Sequence, residues 1–258
     1  AVVAAVPGGA AARPAVAAGT GHAQTAAFVL SKVAAAQVSS SSMISVDQQL
    51  GGGGSGTTYT DVATQQQRTV SSQRTSSGQP RFQIAWANSG GSTKETDVEY
   101  QHHVFSVSTA SSFDAGQGQN ATLSSFLPLQ SNSDPAVAFR EALNAGTVRV
   151  VGHQNLNGRD TILLRAKSQI RLAGVTIPDS WIWVDASTYM VVQTKWLVPH
   201  WQGQYKAGTK VTFSADVHQV SWLSPTPENL ALLTATPPAG FTKISRAEMV
   251  QKYLGPIS

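Results

Sequence analysis

The chain has 258 residues, 41% of them hydrophobic and only 12% charged, with no cysteine. That length supports a sizeable core. The missing thiols exclude disulfides, thiolate metal sites and a cysteine nucleophile within these residues, and no lipid anchor on a cysteine of this chain is expected. The net charge is +4, but the 18 Lys and Arg are scattered, and the densest grouping is Arg165, Lys167 and Arg171. Nucleic-acid binding needs clustered cations, so none is expected.

Residues 1–20 are Ala-, Val-, Pro- and Gly-rich, and the opening apolar run is broken at Pro7. A membrane-spanning helix needs about 20 apolar residues. The segment reads as a flexible tail, the remnant of a signal peptide or N-terminal membrane anchor. The rest, 21–258, reads as a single domain outside the cytoplasm, because its body is low in charge, rich in Ser and Thr, and free of cysteine.

GHAQTAAFVLSKVAAAQ (Gly21–Gln37) predicts a helix, with Ala26, Val29, Leu30 and Val33 at helical spacing. A Gly/Ser-rich loop follows near 39–57. From Tyr59 to Val107 the pattern has period two. In RFQIAWA, Phe82, Ile84 and Trp86 alternate with Arg81, Gln83 and Ala85, and Ser77-Gly78 signals a turn. These are antiparallel strands with one wet face. Ser133–Gly146 predicts a second helix, with Asp134 as N-cap, Pro135 in the first turn and Gly146 as C-cap.

VRVVGHQNLNGRDTILLRA predicts a hairpin about Asn157-Gly158, where both central residues of a tight turn need positive φ. SWIWV and YMVVQTKWLV predict two strands around Asp185-Ala-Ser-Thr. Trp181 and Trp183 fall on one face of the first, Ile182 and Val184 on the other. Asp185 reads as a hairpin corner accepting hydrogen bonds from the Ser187 or Thr188 backbone. Along GTKVTFSADVHQVSW, Val211, Phe213, Ala215 and Val217 share one face, taken as the inward one. Lys210, Thr212, Ser214, Asp216 and His218 share the other. Two short helices close the chain, with Thr226 and Ser245 as N-caps. Without βαβ alternation a parallel sheet is not expected. The expected fold is α+β, mainly β: a large curved antiparallel sheet, a half-barrel wrapped around a few helices.

The chemistry-bearing motifs are sparse. Gly51–Gly54 lacks the Lys-Ser/Thr of a phosphate loop, and there is no G-x-S-x-G or H-E-x-x-H. His102 and His103 are adjacent, so in a strand they would point to opposite faces, while His200 and His218 could meet across a hairpin. No acidic residue completes a metal spacing, so no metal and no cofactor is expected. Asp160, Asp185 and His153 are the residues an enzyme would use, and nothing local singles them out.

The hairpin VRVVGHQNLNGRDTILLRA, then IWVDASTYMVVQTKW, then VSWLSPTPENLALLTATPPAGFTKI, taken in that order across Val148–Ile244, resembles actinobacterial exported proteins of the lipoprotein-carrier superfamily (LolA-, LolB- and RseB-like). The resemblance implies a half-barrel with an apolar cleft between sheet and helices. It implies a non-enzymatic extracytoplasmic protein, peripheral to or anchored at the membrane, that binds a lipid or lipidated protein. The alternative it leaves open is an envelope sensor or protein-interaction module without a small ligand. The cleft residues expected from the inward rows are Met190, Val192, Trp196, Val211, Phe213 and Val217, joined by Trp181 and Trp183. Carriers of this family often gate their cleft with an arginine, and Arg68, Arg74 and Arg81 lie in the relevant strands.

Overall fold

The computed structural model describes residues 25–40, 42–50, 56–89, 92–111, 145–167, 171–172, 175–176, 178–201 and 211–254. The expected 1–20 tail, residues 51–55 of the expected 39–57 loop and the second helix up to residue 144 lie outside them, and Ile44–Gln49 within that loop is a strand instead. The first helix, α1, spans Ala26–Ser40, and Val29, Leu30 and Val33 are buried as their spacing predicts. Ala26 is exposed.

Fourteen strands follow among the described residues: β1 (Ile44–Gln49), β2 (Gly56–Asp61), β3 (Gln67–Ser71), β4 (Phe82–Ser89), β5 (Ser92–Glu99), β6 (Val104–Ser111), β7 (Val148–Leu156), β8 (Arg159–Ala166), β9 (Arg171–Leu172), β10 (Val175–Thr176), β11 (Ser180–Asp185), β12 (Val191–Trp201), β13 (Val211–Leu223) and β14 (Thr242–Lys243). Two capped helices, α2 (Pro227–Ala231) and α3 (Arg246–Met249), flank β14, and a π-helical turn, Val250–Leu254, follows α3. The side chains of Thr226 and Ser245 accept from backbone N–H groups at the starts of α2 and α3, as the sequence predicts.

Twelve strands form one open sheet in the order β14-β6-β5-β4-β3-β2-β1-β13-β12-β11-β8-β7, and β9 and β10 make a separate ribbon. Every pairing in the large sheet is antiparallel except β14 on β6. The expected Asn157-Gly158 turn joins β7 to β8, with φ of 54° and 86°. A bulge between Val150 and Gly152 bends that hairpin. The two histidines expected in a strand, His102 and His103, instead occupy the β5–β6 turn, where His103 takes φ 55°.

The core forms where α1 meets the C-terminal half of the sheet. Val29, Leu30, Val33 and Ala34 pack with Ile162 and Leu164 of β8, Ile182 and Val184 of β11, Val191 of β12 and Val220 of β13. Cross-strand register puts Ile182 opposite Leu164 and Val184 opposite Ile162, so one continuous apolar surface faces the helix. The far face of the N-terminal half is covered by the segment after β13, where Leu233 is 1% exposed and the Leu232 carbonyl accepts from Arg68 Nη1 at 3.0 Å.

Ile182 sits at the centre of the α1 interface with no exposed surface. Ile182→Ala should cost about 2–5 kcal/mol in urea unfolding. Val151→Ala, at a half-exposed position, should stay within about 0.5 kcal/mol.

Candidate functional site

Strand alternation assigns each expected cleft residue to a face. Thr194, paired with His218 and Ile182, lies on the α1 side, and with it Val192 and Trp196. On β13 the α1 side carries Asp216, His218, Val220 and Trp222. The expectation that Val211, Phe213, Ala215 and Val217 face inward is therefore corrected: their row lies on the opposite face. The alternation itself is as expected. The polar row becomes apolar at Val220 and Trp222, and those two residues carry it onto the core.

Trp181 and Trp183 share that opposite face, because they pair with Lys195 and Gln193 of β12. Met190, half-buried, precedes β12, and its carbonyl accepts from the Asp185 N–H at 2.9 Å. The eight residues thus do not converge on one cleft. Val192 and Trp196 look toward α1. Trp181, Trp183, Val211, Phe213 and Val217 look away from it.

On the away-facing side, β12 and β13 extend beyond their neighbours. β11 pairs with β12 only up to Lys195, and β1 pairs with β13 from His218 onward. Residues 196–201 and 211–217 form a two-stranded ribbon whose away-facing row includes Leu197, Pro199, Val211, Phe213 and Ala215. Phe213 is 36% exposed. Toward β8 the row continues through Trp181, whose ring lies 5.3 Å from the Arg165 guanidinium, itself held by Asp179 at 2.6 Å.

The α1 side of the β1–β13 seam is polar. His218 Nδ1 lies 2.8 Å from Asp47 Oδ1, its Nε2 lies 3.3 Å from Asp216 Oδ1, and Trp196 stacks on the imidazole at 4.3 Å between centroids. Gln49 Nε2 donates to Asp216 at 3.1 Å. Both aspartates are buried. Burial opposes the charge on His218, but Asp47 and then Asp216 outweigh it and hold the imidazole pKa above its ordinary 6.5. His200 shares this side but lies six residues along β12 from the partner of His218, about 20 Å away. The two do not meet. His200 Nε2 contacts Ser214 Oγ at 2.5 Å instead.

A second buried acid lies on β5. Asp97 is 1% exposed and accepts from Ser106 Oγ at 2.7 Å. Burial is the main cause that raises its pKa to about 7. Neither acid-bearing region was singled out from sequence. Period-two alternation assigns residues to faces without saying which face is covered.

The residues an enzyme would have used are structural or solvated. Asp185 Oδ1 accepts from the Ser187 and Thr188 backbone at 2.9 and 2.8 Å, so it is the expected hairpin corner. Partial burial works against its charge, but the bonds from Ser187 and Thr188 outweigh that and hold its carboxyl below 3.8. Asp160 and His153 are both exposed and 3.4 Å apart. Among the described residues no three His, Asp or Glu side chains are placed to hold a metal ion. Arg68 lies over the Tyr59 ring on the away-facing side, and Arg81 Nη1 donates to Gln73 Oε1 at 3.1 Å. Arg74 is exposed at a bridge to Pro80.

The class defined by this geometry is an α+β protein built on a large open antiparallel sheet with a helix against one face. Among solved structures, the chain is similar to the lipoprotein LppX of Mycobacterium tuberculosis, with 9% identity, TM-score 0.39, and coverage of 77% of this chain and 96% of that one. It is similar to LprF from Mycobacterium bovis, with 10% identity, TM-score 0.38, and coverage of 83% and 97%. A LolA superfamily protein from Nitrosomonas europaea is similar at 13% identity and TM-score 0.25, with coverage of 82% and 98%. No protein-family model matches the chain, and no curated protein matches it.

Because the folded pKa of His218 is raised, its stabilising contribution is complete below pH 6.5 and is lost as pH rises through the folded value. The melting-temperature gap between wild type and His218→Gln should be largest below pH 6.5 and shrink as pH rises above it. Asp185→Ala should cost about 0.5–2 kcal/mol at neutral pH. That cost should fall away in acid as the carboxyl protonates, measured by urea unfolding at several pH values.

Proposed function

We propose that the protein is a non-enzymatic extracytoplasmic binding protein whose ligand is apolar, a lipid or the acyl part of a lipidated protein. The observation that supports this reading most is the away-facing apolar row of β11, β12 and β13. Trp181, Leu197, Pro199, Phe213 and Val217 run along it, and no described element packs over Phe213 and Ala215, the most exposed of the row. Each large apolar side chain left in water forgoes about 1.5–3 kcal/mol, so a row of them favours an occupant. The space between sheet and α1 is a poorer place for an acyl chain. Its apolar part is filled by Val29, Leu30 and Val33, and toward β4 and β5 the same face sets Ile84 and Trp86 among the buried acids Asp47, Asp97 and Asp216. The ligand therefore sits on the face away from the helix, not between sheet and helix. No helix among the described residues is long and apolar enough to cross a membrane.

Protein purified from its own host should carry lipid by native mass spectrometry. Phe213→Asp with Leu197→Asp should lose it while the protein keeps its folded circular-dichroism spectrum, since Phe213 is exposed and Leu197 half-buried. Wild-type protein that is bare in repeated preparations sinks this reading.

A further inference from the structure

A second feature of the away-facing side is independent of the apolar row. Gln48 of β1, Gln219 of β13 and Gln193 of β12 are direct cross-strand neighbours, since Gln48 pairs with Gln219 and Gln219 with Gln193. Thr57 continues the row on β2, and Trp183 continues it on β11. Neighbouring strands lie about 4.8 Å apart, so the three amides form a line about 10 Å long. Such neighbours commonly bond to one another. Here none of the three side-chain amides has a hydrogen-bond partner among the described residues. They line a cavity of about 340 Å³ roofed by the tip of the β7–β8 hairpin, Leu156, Asn157 and Arg159.

The lining is part apolar, from Val46, Leu156, Val192 and Val220, and part polar. Each glutamine offers two donors and one acceptor, Thr57 and Ser221 offer hydroxyls, and Asn157 adds a fourth amide from the roof. No carboxylate lines the cavity. Its one cation, Arg159, has Asp185 3.6 Å away. A site rich in paired donors and acceptors and balanced in charge selects an uncharged ligand that is itself both donor and acceptor at several points. The volume lies at the lower end of the range for small-molecule sites, about 300–1,000 Å³. Trp183 closes one end of the row and is fixed there by its indole N–H, which donates to Gln154 Oε1 at 2.7 Å.

We infer that the cavity beneath the β7–β8 hairpin, floored by Gln48, Gln193 and Gln219, is a binding site for a neutral saccharide of one or two sugar units. Ring hydroxyls, donor and acceptor at once, satisfy the unpaired amides in place of water. The apolar row of the preceding section plays no part in this recognition.

The test is a titration of the isotopically labelled full chain with maltose and with N,N′-diacetylchitobiose, reading glutamine side-chain amide and tryptophan indole NMR signals. At least one disaccharide should shift a set of glutamine amides and one indole with a Kd on the order of 1 mM. Gln193→Ala and Gln219→Ala should each weaken that binding about tenfold without altering the backbone spectrum elsewhere. The Phe213→Asp, Leu197→Asp protein should bind as wild type does, which separates this site from the lipid reading. Absence of shifts with both sugars overturns the assignment, and so does an equal response to triglycine. An unchanged Kd in both glutamine variants also overturns it.

Discussion

One strand pairing holds the molecule together. β1 and β13 exchange hydrogen bonds from Ile44–Leu223 to Gln49–His218, joining segments more than 160 residues apart. On one side of this seam lie β2 to β6 with β14, built from neighbouring hairpins. On the other lie β12, β11, β8 and β7. Without the seam these are two separate sheets, and α1 would cover only the second. Closing so long a loop costs entropy before any contact rewards it, and the seam answers with side chains on both of its faces. On the α1 side Asp47 reaches across to His218, and Gln49 reaches across to Asp216. On the other side Gln48 stands against Gln219.

The seam also divides the sheet's chemistry. Toward α1, the C-terminal strands present Ile162, Leu164, Ile182 and Val184, while the N-terminal strands present Asp47, Thr60, Gln67 and Asp97 on the same face. A carboxylate buried this way keeps its charge only with partners. Asp47 and Asp216 have His218 between them. Asp97 has Ser106, and its remaining oxygen is unpartnered among the described residues, which fits a pKa near 7. The interior of the half-barrel is therefore mixed rather than greasy. The exposed Phe213 and the amide groups of Gln48, Gln193 and Gln219 lie on the face away from the helix, which is why both proposed sites are placed there.

Much of this was legible in the chain. Asn157-Gly158 signalled a tight turn, Asp185 read as a hairpin corner, and Thr226 and Ser245 marked helix starts, because each depends on backbone geometry within four residues. The face content of β11 and β13 was legible too, because side chains alternate with period two whatever lies beyond them. The open antiparallel sheet followed from those strands and from the lack of βαβ alternation.

Local pattern could not say which face of β13 the core would take. Phe213 and Val217 look like a buried row, and Asp216 and His218 like a wet one, until Val220 and Trp222 at the far end of the strand draw the second row under α1. That choice depends on β1 arriving from the other end of the chain with Asp47 to neutralise His218. The same arrival sets Gln48 beside Gln219 and Gln193, three residues with nothing in common in the sequence. By itself the sequence determined turns, caps, strand periodicity and the contents of each face, because these are set by neighbours along the chain. Only the tertiary structure decided which face was buried, where the charges paired and where a cavity opened, because those follow from strand pairings between distant segments.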